Sequence, residues 1–141
     1  MSMERAQRFM DALGRLEESG DAAPLLALFS DDAQVSNLAS PRVFSGREGA
    51  KAFWREYKAT LKQVRSTFRN VIAAGDRTAL EWETQGTANN GAAVAYEGVS
   101  ILEWDGDRIS RFFAYFDPHA LGQELAEGNA RRSETPASAP A

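Results

Sequence analysis

The stretch Arg108-Ile109-Ser110-Arg111-Phe112-Phe113-Ala114-Tyr115-Phe116-Asp117 is the segment around which the rest of the chain can be arranged. Successive side chains of a β-strand point to opposite faces of a sheet, so Phe112, Ala114 and Phe116 share one face. The odd-numbered side chains between them share the other face. Both faces are bulky, and we therefore expect one to line an interior and the other to meet a partner.

Three further strands are predicted to precede this one in an antiparallel meander. The turn signals are Gly75-Asp76, Asn89-Asn90-Gly91 and Asp105-Gly106. Asn90-Gly91 tolerates the positive φ angles of a type I′ hairpin turn and is taken to set the register of its two strands. The segments between the turns predict strands over residues 64–74, 78–88, 93–104 and 108–117.

Two helices are predicted at the N-terminus. Apolar residues at three- and four-residue spacing indicate an amphipathic helix over residues 3–19. Asp21 is expected to cap a second, short helix that has Pro24 in its first turn and runs through Phe29. The sequence Ser30-Asp31-Asp32 is expected to end it.

A short strand over residues 33–38 and a loop over 39–44 are expected to follow. The Ser-x-x-Glu spacing of Ser45-Gly46-Arg47-Glu48 is that of a capping box and predicts a third helix to about Lys62. Asp117-Pro118 is expected to cap a last helix, and a tail from residue 128 onwards is expected to be disordered.

Helices followed by a meander indicate an α+β fold in one domain, residues 1–127. The expected architecture is a curved antiparallel sheet wrapped on about three helices, which makes a cone closed at one end. The sheet is too short to fill its own concavity, so a pocket is expected inside it.

Composition excludes several classes of function. The chain has 141 residues, a net charge of −4 and no basic block, which argues against nucleic-acid binding. It has no Cys and a single His, His119, so thiolate and His-rich metal sites are excluded. No signal peptide or membrane span is visible, and the lack of Cys is compatible with a cytoplasmic protein.

Several local phrases, in this order and spacing, resemble the SnoaL-like branch of the nuclear-transport-factor-2-like superfamily. That group includes polyketide cyclases, ketosteroid isomerases and limonene-epoxide hydrolases. The resemblance covers about residues 5 to 127 and implies a cone-shaped α+β barrel with an apolar pocket, commonly as a homodimer. The phrases are Leu28-Phe29-Ser30-Asp31-Asp32-Ala33, Ser45-Gly46-Arg47-Glu48-Gly49, Gly98-Val99-Ser100-Ile101, Asp105-Gly106-Asp107-Arg108-Ile109 and Tyr115-Phe116-Asp117.

The resemblance also implies that the epoxide-hydrolase machinery is mostly lost. The catalytic Asp of those hydrolases falls on Ala114, and the Arg before it falls on Phe113. Their Arg and Asp on a neighbouring strand fall on Glu81 and Glu83. On the first strand a water-holding Tyr is replaced by Val35 and only Asn37 is kept. Epoxide hydrolysis by the family mechanism is therefore not expected.

Glu83, Tyr96 and Asn37 are the candidate catalytic residues. A carboxyl in an apolar pocket suits proton transfer, a buried tyrosine hydroxyl can donate to an oxyanion, and an amide can orient water or a carbonyl. Each has a plain structural alternative, namely a solvated glutamate, a wall-lining tyrosine and a strand-end hydrogen bond. The assignment of Glu83 depends on the hairpin register, because a one-residue slip reverses the faces.

The candidate ligand-binding residues come from the third helix and the last strands. They are Trp54, Tyr57, Glu81, Gly98, Ser100, Phe112, Ala114 and Phe116. Asp117 is read as a helix cap, and His119 as a surface residue. Phe113, Tyr115, Trp82 and Arg111 are expected on the outer face, where they indicate a homodimer.

Two functions remain open from the sequence. One is a cofactor-free acid–base enzyme of isomerase or cyclase type, which acts on a small polyketide-, steroid- or terpenoid-like molecule. The other is a non-catalytic small-molecule-binding or dimerisation domain. Neither needs a metal or an organic cofactor.

Overall fold

The computed structural model describes residues 2–118, so His119 and the expected last helix and tail fall outside the described residues. The elements follow one another in the order helix, helix, strand, strand, helix and four strands. Their bounds are α1 Ser2–Ser19, α2 Ala23–Leu26, β1 Phe29–Asn37, β2 Ser40–Ser45, α3 Gly46–Thr60, β3 Leu61–Ala74, β4 Arg77–Ala88, β5 Ala93–Asp105 and β6 Arg108–Phe116.

The six strands form one curved, unclosed sheet in the order β2-β1-β6-β5-β4-β3. The meander from β3 to β6 is antiparallel, as expected. The pair β1 and β6 is parallel, which makes the sheet mixed. The α+β class is confirmed, with the helices packed against the sheet.

The apolar stripe of α1 is buried, as its periodicity predicts. Phe9 and Leu16 are almost fully buried against the sheet and α3. Glu17 follows on the same stripe and is only 8% exposed. A carboxylate at that depth needs hydrogen-bond partners, since an unpaired one would be costly.

Residues 27–45 differ from the prediction in three ways. Helix α2 ends at Leu26, and Phe29-Ser30-Asp31-Asp32 belongs to β1 rather than to a helix and its terminating turn. The expected loop is strand β2, in which Pro41 is tolerated because β2 is an edge strand. The helix after Ser45 is present, but the Ser45 side chain makes no capping hydrogen bond.

The hairpin between β4 and β5 has three loop residues, Asn89-Asn90-Gly91, rather than a two-residue turn. The Ala88 amide donates to the Ala92 carbonyl at 2.8 Å, and Gly91 has φ of 90°. A third loop residue in the left-handed region is the common alternative to the type I′ turn. It pairs Trp82 with Gly98, and Thr84 with Tyr96.

Candidate functional site

A cavity of about 240 Å³ lies between the helices and the inner face of the sheet. Phe9 from α1 and Phe53, Trp54 and Tyr57 from α3 form one wall. Six aromatic residues of the described sheet form the other wall, namely Phe44, Phe68, Trp82, Tyr96, Phe112 and Phe116. The cavity is therefore mostly aromatic and can hold one small molecule with a large apolar surface.

A buried carboxylate supports the base of this cavity. Glu17 Oε2 accepts hydrogen bonds from the Tyr57 hydroxyl and the Ser66 hydroxyl, both at 2.6 Å. Glu17 Oε1 accepts a hydrogen bond from the Ser66 backbone amide at 2.8 Å. The hydroxyls of Tyr57 and Ser66, which line the cavity, thus connect it to a carboxylate behind the wall.

The network reaches β4 through a further hydroxyl. Ser66 Oγ lies 2.8 Å from Thr84 Oγ1, and both residues line the cavity. Since Ser66 donates its hydroxyl proton to Glu17, Thr84 must donate to Ser66. All three groups that donate to the carboxylate are neutral, so its buried oxygens are satisfied by hydrogen bonds rather than by an ion pair.

Both tyrosines of the cavity are held in their protonated form. Burial first, and then the charge of Glu17, raises the pKa of Tyr57 well above its ordinary value. The same two causes, in the same order, raise the pKa of Tyr96 to about 12. At neutral pH both are therefore O–H groups, and Glu17 opposes their conversion to tyrosinate.

One buried polar group of the wall has no partner among residues 2–118. The indole N–H of Trp54 makes no hydrogen bond. Buried donors without a partner are unusual in folded proteins. A ligand oxygen that reaches this group could accept its hydrogen bond.

The rim of the cavity is formed by the β1–β2 turn and α3. Asn37 lines it, but its side-chain oxygen accepts a hydrogen bond from the Ala39 amide at 2.9 Å. Arg42 pairs with Glu56 at 3.6 Å and stacks over the Phe44 ring at 4.1 Å. These charges are exposed and cancel each other at the entrance.

Glu81 and Glu83 lie on the outer face of the sheet, which contradicts the expectation that they face the pocket. Arg69 pairs with Glu83 at 3.0 Å, with Glu97 at 2.9 Å and with Glu81 at 3.4 Å. The cause is the three-residue hairpin loop, which shifts the register by one and places Glu83 opposite Glu97 instead of beside Tyr96.

The same shift brings Trp82 inside. Trp82 was expected on the outer face, but it is 9% exposed and lines the cavity, with its indole N–H donating to Ser100 Oγ at 2.9 Å. Gly98 lies next to it and is not part of the wall. A Cβ on Gly98 would come within 2.8 Å of Trp82 Cζ2, so glycine makes room for the indole.

The remaining candidate residues lie on the faces that the sequence predicts for them. Phe112, Ala114 and Phe116 line the cavity, and so do Trp54, Tyr57, Tyr96 and Ser100. Phe113 and Tyr115 lie on the outer face, with their ring centroids 4.5 Å apart. Their roles in binding or catalysis stay predictions.

Glu17 was not singled out from the sequence, although a signal for it existed. It is four residues after Leu13 and directly follows Leu16, both of which belong to the apolar stripe of α1. A charged residue inside an apolar stripe is buried together with it. Its position on the apolar stripe of α1 distinguishes Glu17 from Glu18, which is exposed.

The fold and this geometry agree with a comparison against protein families. The model of the family described as a SnoaL-like domain matches residues 6–112. The chain belongs to this family. Among curated proteins, a search finds no match for this SnoaL-like domain.

Solved structures of the nuclear-transport-factor-2-like fold are similar to the SnoaL-like domain in shape. One is an NTF2-like protein of unknown function from Burkholderia pseudomallei, which is 20% identical and has a TM-score of 0.77 over 87% of this chain and 95% of that one. An LEH-like epoxide hydrolase from M. tuberculosis is 17% identical and has a TM-score of 0.72 over 92% and 94%.

A third structure holds a ligand. It is a hypothetical protein with a ketosteroid isomerase-like fold from Catenulispora acidiphila, in complex with trimethylamine. It is 19% identical and has a TM-score of 0.75 over 89% of this chain and 95% of that one. At these identities the likeness concerns the fold.

The described part of the SnoaL-like domain contains neither a candidate metal site nor a helix that could span a membrane. Residues 2–118 contain no group of three or more His, Asp or Glu side chains that could hold a metal ion. No helix in the same range is long and apolar enough to cross a membrane.

Proposed function

We propose that this SnoaL-like domain binds one small, largely apolar molecule that carries an oxygen. The observation that carries the proposal is an aromatic cavity of about 240 Å³ whose wall includes a buried donor without a hydrogen-bond partner, Trp54 Nε1. Polyketide-, steroid- and terpenoid-like molecules combine apolar surface with a few oxygens. The trimethylamine complex of the Catenulispora protein supports a small-molecule role for a chain of this fold.

Tryptophan fluorescence tests this proposal, because Trp54 and Trp82 both line the cavity. The probe is 3,3-dimethylbutan-1-ol, a compact neutral alcohol. We expect a saturable change in emission, and we expect Ala114→Leu to weaken it at least about tenfold by filling the cavity. Ala74→Leu, at an exposed position, is the matched control. No saturable change, or equal loss in both variants, would overturn the proposal.

A second candidate function is proton transfer without a cofactor. The observation that favours it is the chain of hydrogen bonds from the cavity wall to a carboxylate, through Tyr57 to Glu17 at 2.6 Å. In this proposal Glu17 replaces Glu83 as the carboxylate of the site. It acts through Tyr57: Tyr57 Oη accepts the carbon-bound proton while its own hydroxyl proton passes to Glu17, so the negative charge moves from Glu17 to the enolate and no tyrosinate forms. Glu17 therefore acts through another residue and does not touch the substrate.

Exchange of carbon-bound hydrogen in D2O tests this second candidate. The probe is 3,3-dimethylbutan-2-one, whose methyl ketone protons exchange when a base removes them. We expect the wild-type protein to accelerate exchange and Glu17→Gln to reduce the acceleration about a hundredfold, the low end for general acid–base catalysis. Exchange at the uncatalysed rate, or an unchanged rate in Glu17→Gln, would leave binding as the function.

We also propose that the domain pairs with a second copy through the outer face of the sheet. Tyr115 is 44% exposed there beside Phe113, and such aromatic surface is costly in a monomer. Sedimentation velocity should show a dimer that Tyr115→Arg weakens, while the equally polar change Glu18→Arg on α1 does not. A monomer at micromolar concentration would contradict this.

A further inference from the structure

We propose that the Glu17 carboxylate sets the charge preference of the cavity, which takes a small tertiary or quaternary alkylammonium ion with an attached oxygen and rejects anions. The inference rests on the proposed binding function and adds the charge of the ligand. It follows from the partners of Glu17, from the rings that surround the cavity and from the charges at its rim.

The negative charge of Glu17 is not neutralised inside the protein. Its partners are the Tyr57 hydroxyl, the Ser66 hydroxyl and the Ser66 amide, all of which are neutral. Among the residues that the structure describes, no Arg or Lys forms an ion pair with it. A cation in the neighbouring cavity would offset the cost of burying this charge.

The wall of the cavity is built from the groups that attract an alkylammonium ion. Trp54 and Tyr57 meet edge to face on the helix side at 5.5 Å and 79°. Trp82 and Tyr96 meet in the same way on the sheet side at 5.6 Å and 89°. Aromatic rings on several sides of an alkylated ammonium ion form the cage by which proteins recognise such ions, and tryptophan is the strongest member.

The field of Glu17 also works against anions. Its charge helps to raise the pKa of both cavity tyrosines, since it disfavours a second negative charge nearby. A ligand carboxylate held against Tyr57 would meet the same opposition. The cavity is therefore better suited to positive than to negative charge.

Arg42 is the one cation among the described residues that line the cavity, and it does not reverse this preference. Arg42 is 61% exposed at the rim and is paired with Glu56, which also lies at the rim. The pair contributes no net charge to the entrance. The carboxylate of Glu17 is then the charged group whose field acts on the interior of the cavity.

The test uses three probes of nearly the same shape and different charge, measured by isothermal titration calorimetry on the whole chain. Choline is the cation, 3,3-dimethylbutan-1-ol the neutral isostere and 3,3-dimethylbutanoate the anion. For the wild type we expect choline to bind at least about tenfold more tightly than the alcohol, and the anion to bind most weakly.

Glu17→Gln should remove the preference. We expect choline affinity to fall about tenfold while the alcohol changes less than about twofold, because loss of the negative charge acts on the cation and not on the neutral probe. Glu18→Gln, on the exposed face of α1, is the matched control and should change neither. The ranking of the three probes on the wild type stands as a test even where Glu17→Gln does not fold.

The outcomes separate this inference from the binding function itself. Equal affinity for choline and the alcohol, or tighter binding of the anion, overturns the charge preference and leaves the binding function in place. An equal loss of both affinities in Glu17→Gln also overturns it, since the residue would then act through structure. Absence of binding by all three probes overturns both proposals.

Discussion

The Tyr57 hydroxyl on α3 donates a hydrogen bond to the Glu17 carboxylate on α1 at 2.6 Å. The two residues are 40 positions apart in the chain. Ser66 on β3 binds the same carboxylate, so one buried side chain joins both long helices to the sheet. The base of the cavity is fixed by this contact.

Loss of the carboxylate should therefore destabilise the fold. Glu17→Ala leaves the Tyr57 hydroxyl and the Ser66 donors buried without a partner, and we expect a loss of about 2–4 kcal/mol in the free energy of unfolding. Glu17→Gln keeps the size and one acceptor and should cost less. Urea denaturation measures both, with the exposed Glu18→Ala as control. Equal stability of Glu17→Ala and Glu18→Ala would exclude a structural role for the network.

The order of elements and the inner face of β6 could be read from the sequence, because both follow from local patterns. Alternation alone places Phe112, Ala114 and Phe116 inside. The faces of β4 could not be read in the same way. They depend on whether the Asn89-Asn90-Gly91 turn has two or three loop residues, and the same glycine fits both turns.

The parallel pairing of β1 with β6 could not be predicted from the sequence either. It joins Asn37 to Ala114 across the chain, and no local signal encodes such a pairing. The site itself depends on this kind of distant contact. Glu17, Tyr57, Ser66 and Thr84 come from four different elements, so only the packed fold shows that they form one network.

Alkaline pH should weaken the fold through the cavity tyrosines. The folded pKa of Tyr96 is about 12 and its ordinary value is 10.0, so the unfolded chain loses its proton first as the pH rises. Tyr57 is shifted in the same direction. The stabilisation is complete below about pH 10 and is lost as the pH rises towards the folded pKa, at up to about 1.4 kcal/mol per pH unit for each tyrosine.

Denaturation in urea at about pH 8 and about pH 11 measures this slope. Tyr96→Phe is the matched variant, because it keeps the ring and removes the titrating hydroxyl. Its unfolding free energy should fall less steeply than that of the wild type over the same interval. The same slope in both proteins would show that Tyr96 does not contribute.

A carboxylate placed at Ala114 should be harmful. Ala114 is 7% exposed in an aromatic wall, so Ala114→Asp buries a charge that has no partner. We expect a loss of about 3 kcal/mol or more at neutral pH and weaker binding of neutral apolar ligands. The loss should shrink at acidic pH as the new carboxyl takes up a proton.

Thermal and urea unfolding at both pH values check this prediction. Ala74→Asp introduces the same group at an exposed position next to the β3–β4 turn and is the control. Tighter binding of a neutral apolar ligand after Ala114→Asp would mean that the cavity is not the apolar site described above.

Gly98 should tolerate no side chain, because Trp82 needs its space. A Cβ there would lie 2.3 Å from the Tyr115 carbonyl oxygen and 2.8 Å from Trp82 Cζ2. Gly98→Ala is expected to cost about 1–3 kcal/mol and to alter the Trp82 emission. A Cβ added at Gly14 in α1 would meet no atom outside the helix's own backbone within 4 Å. Gly14→Ala is therefore expected to raise the free energy of unfolding by up to about 1 kcal/mol. Similar effects of the two changes would contradict the packing at Trp82.

A bound probe can be located most directly by nuclear Overhauser effects between its methyl protons and the protein, with choline at saturating concentration. We expect contacts to the rings of Trp54, Trp82 and Tyr96 on the two walls of the cavity. Contacts confined to Phe113 and Tyr115 on the outer face, or no contacts at all, would contradict binding in the cavity.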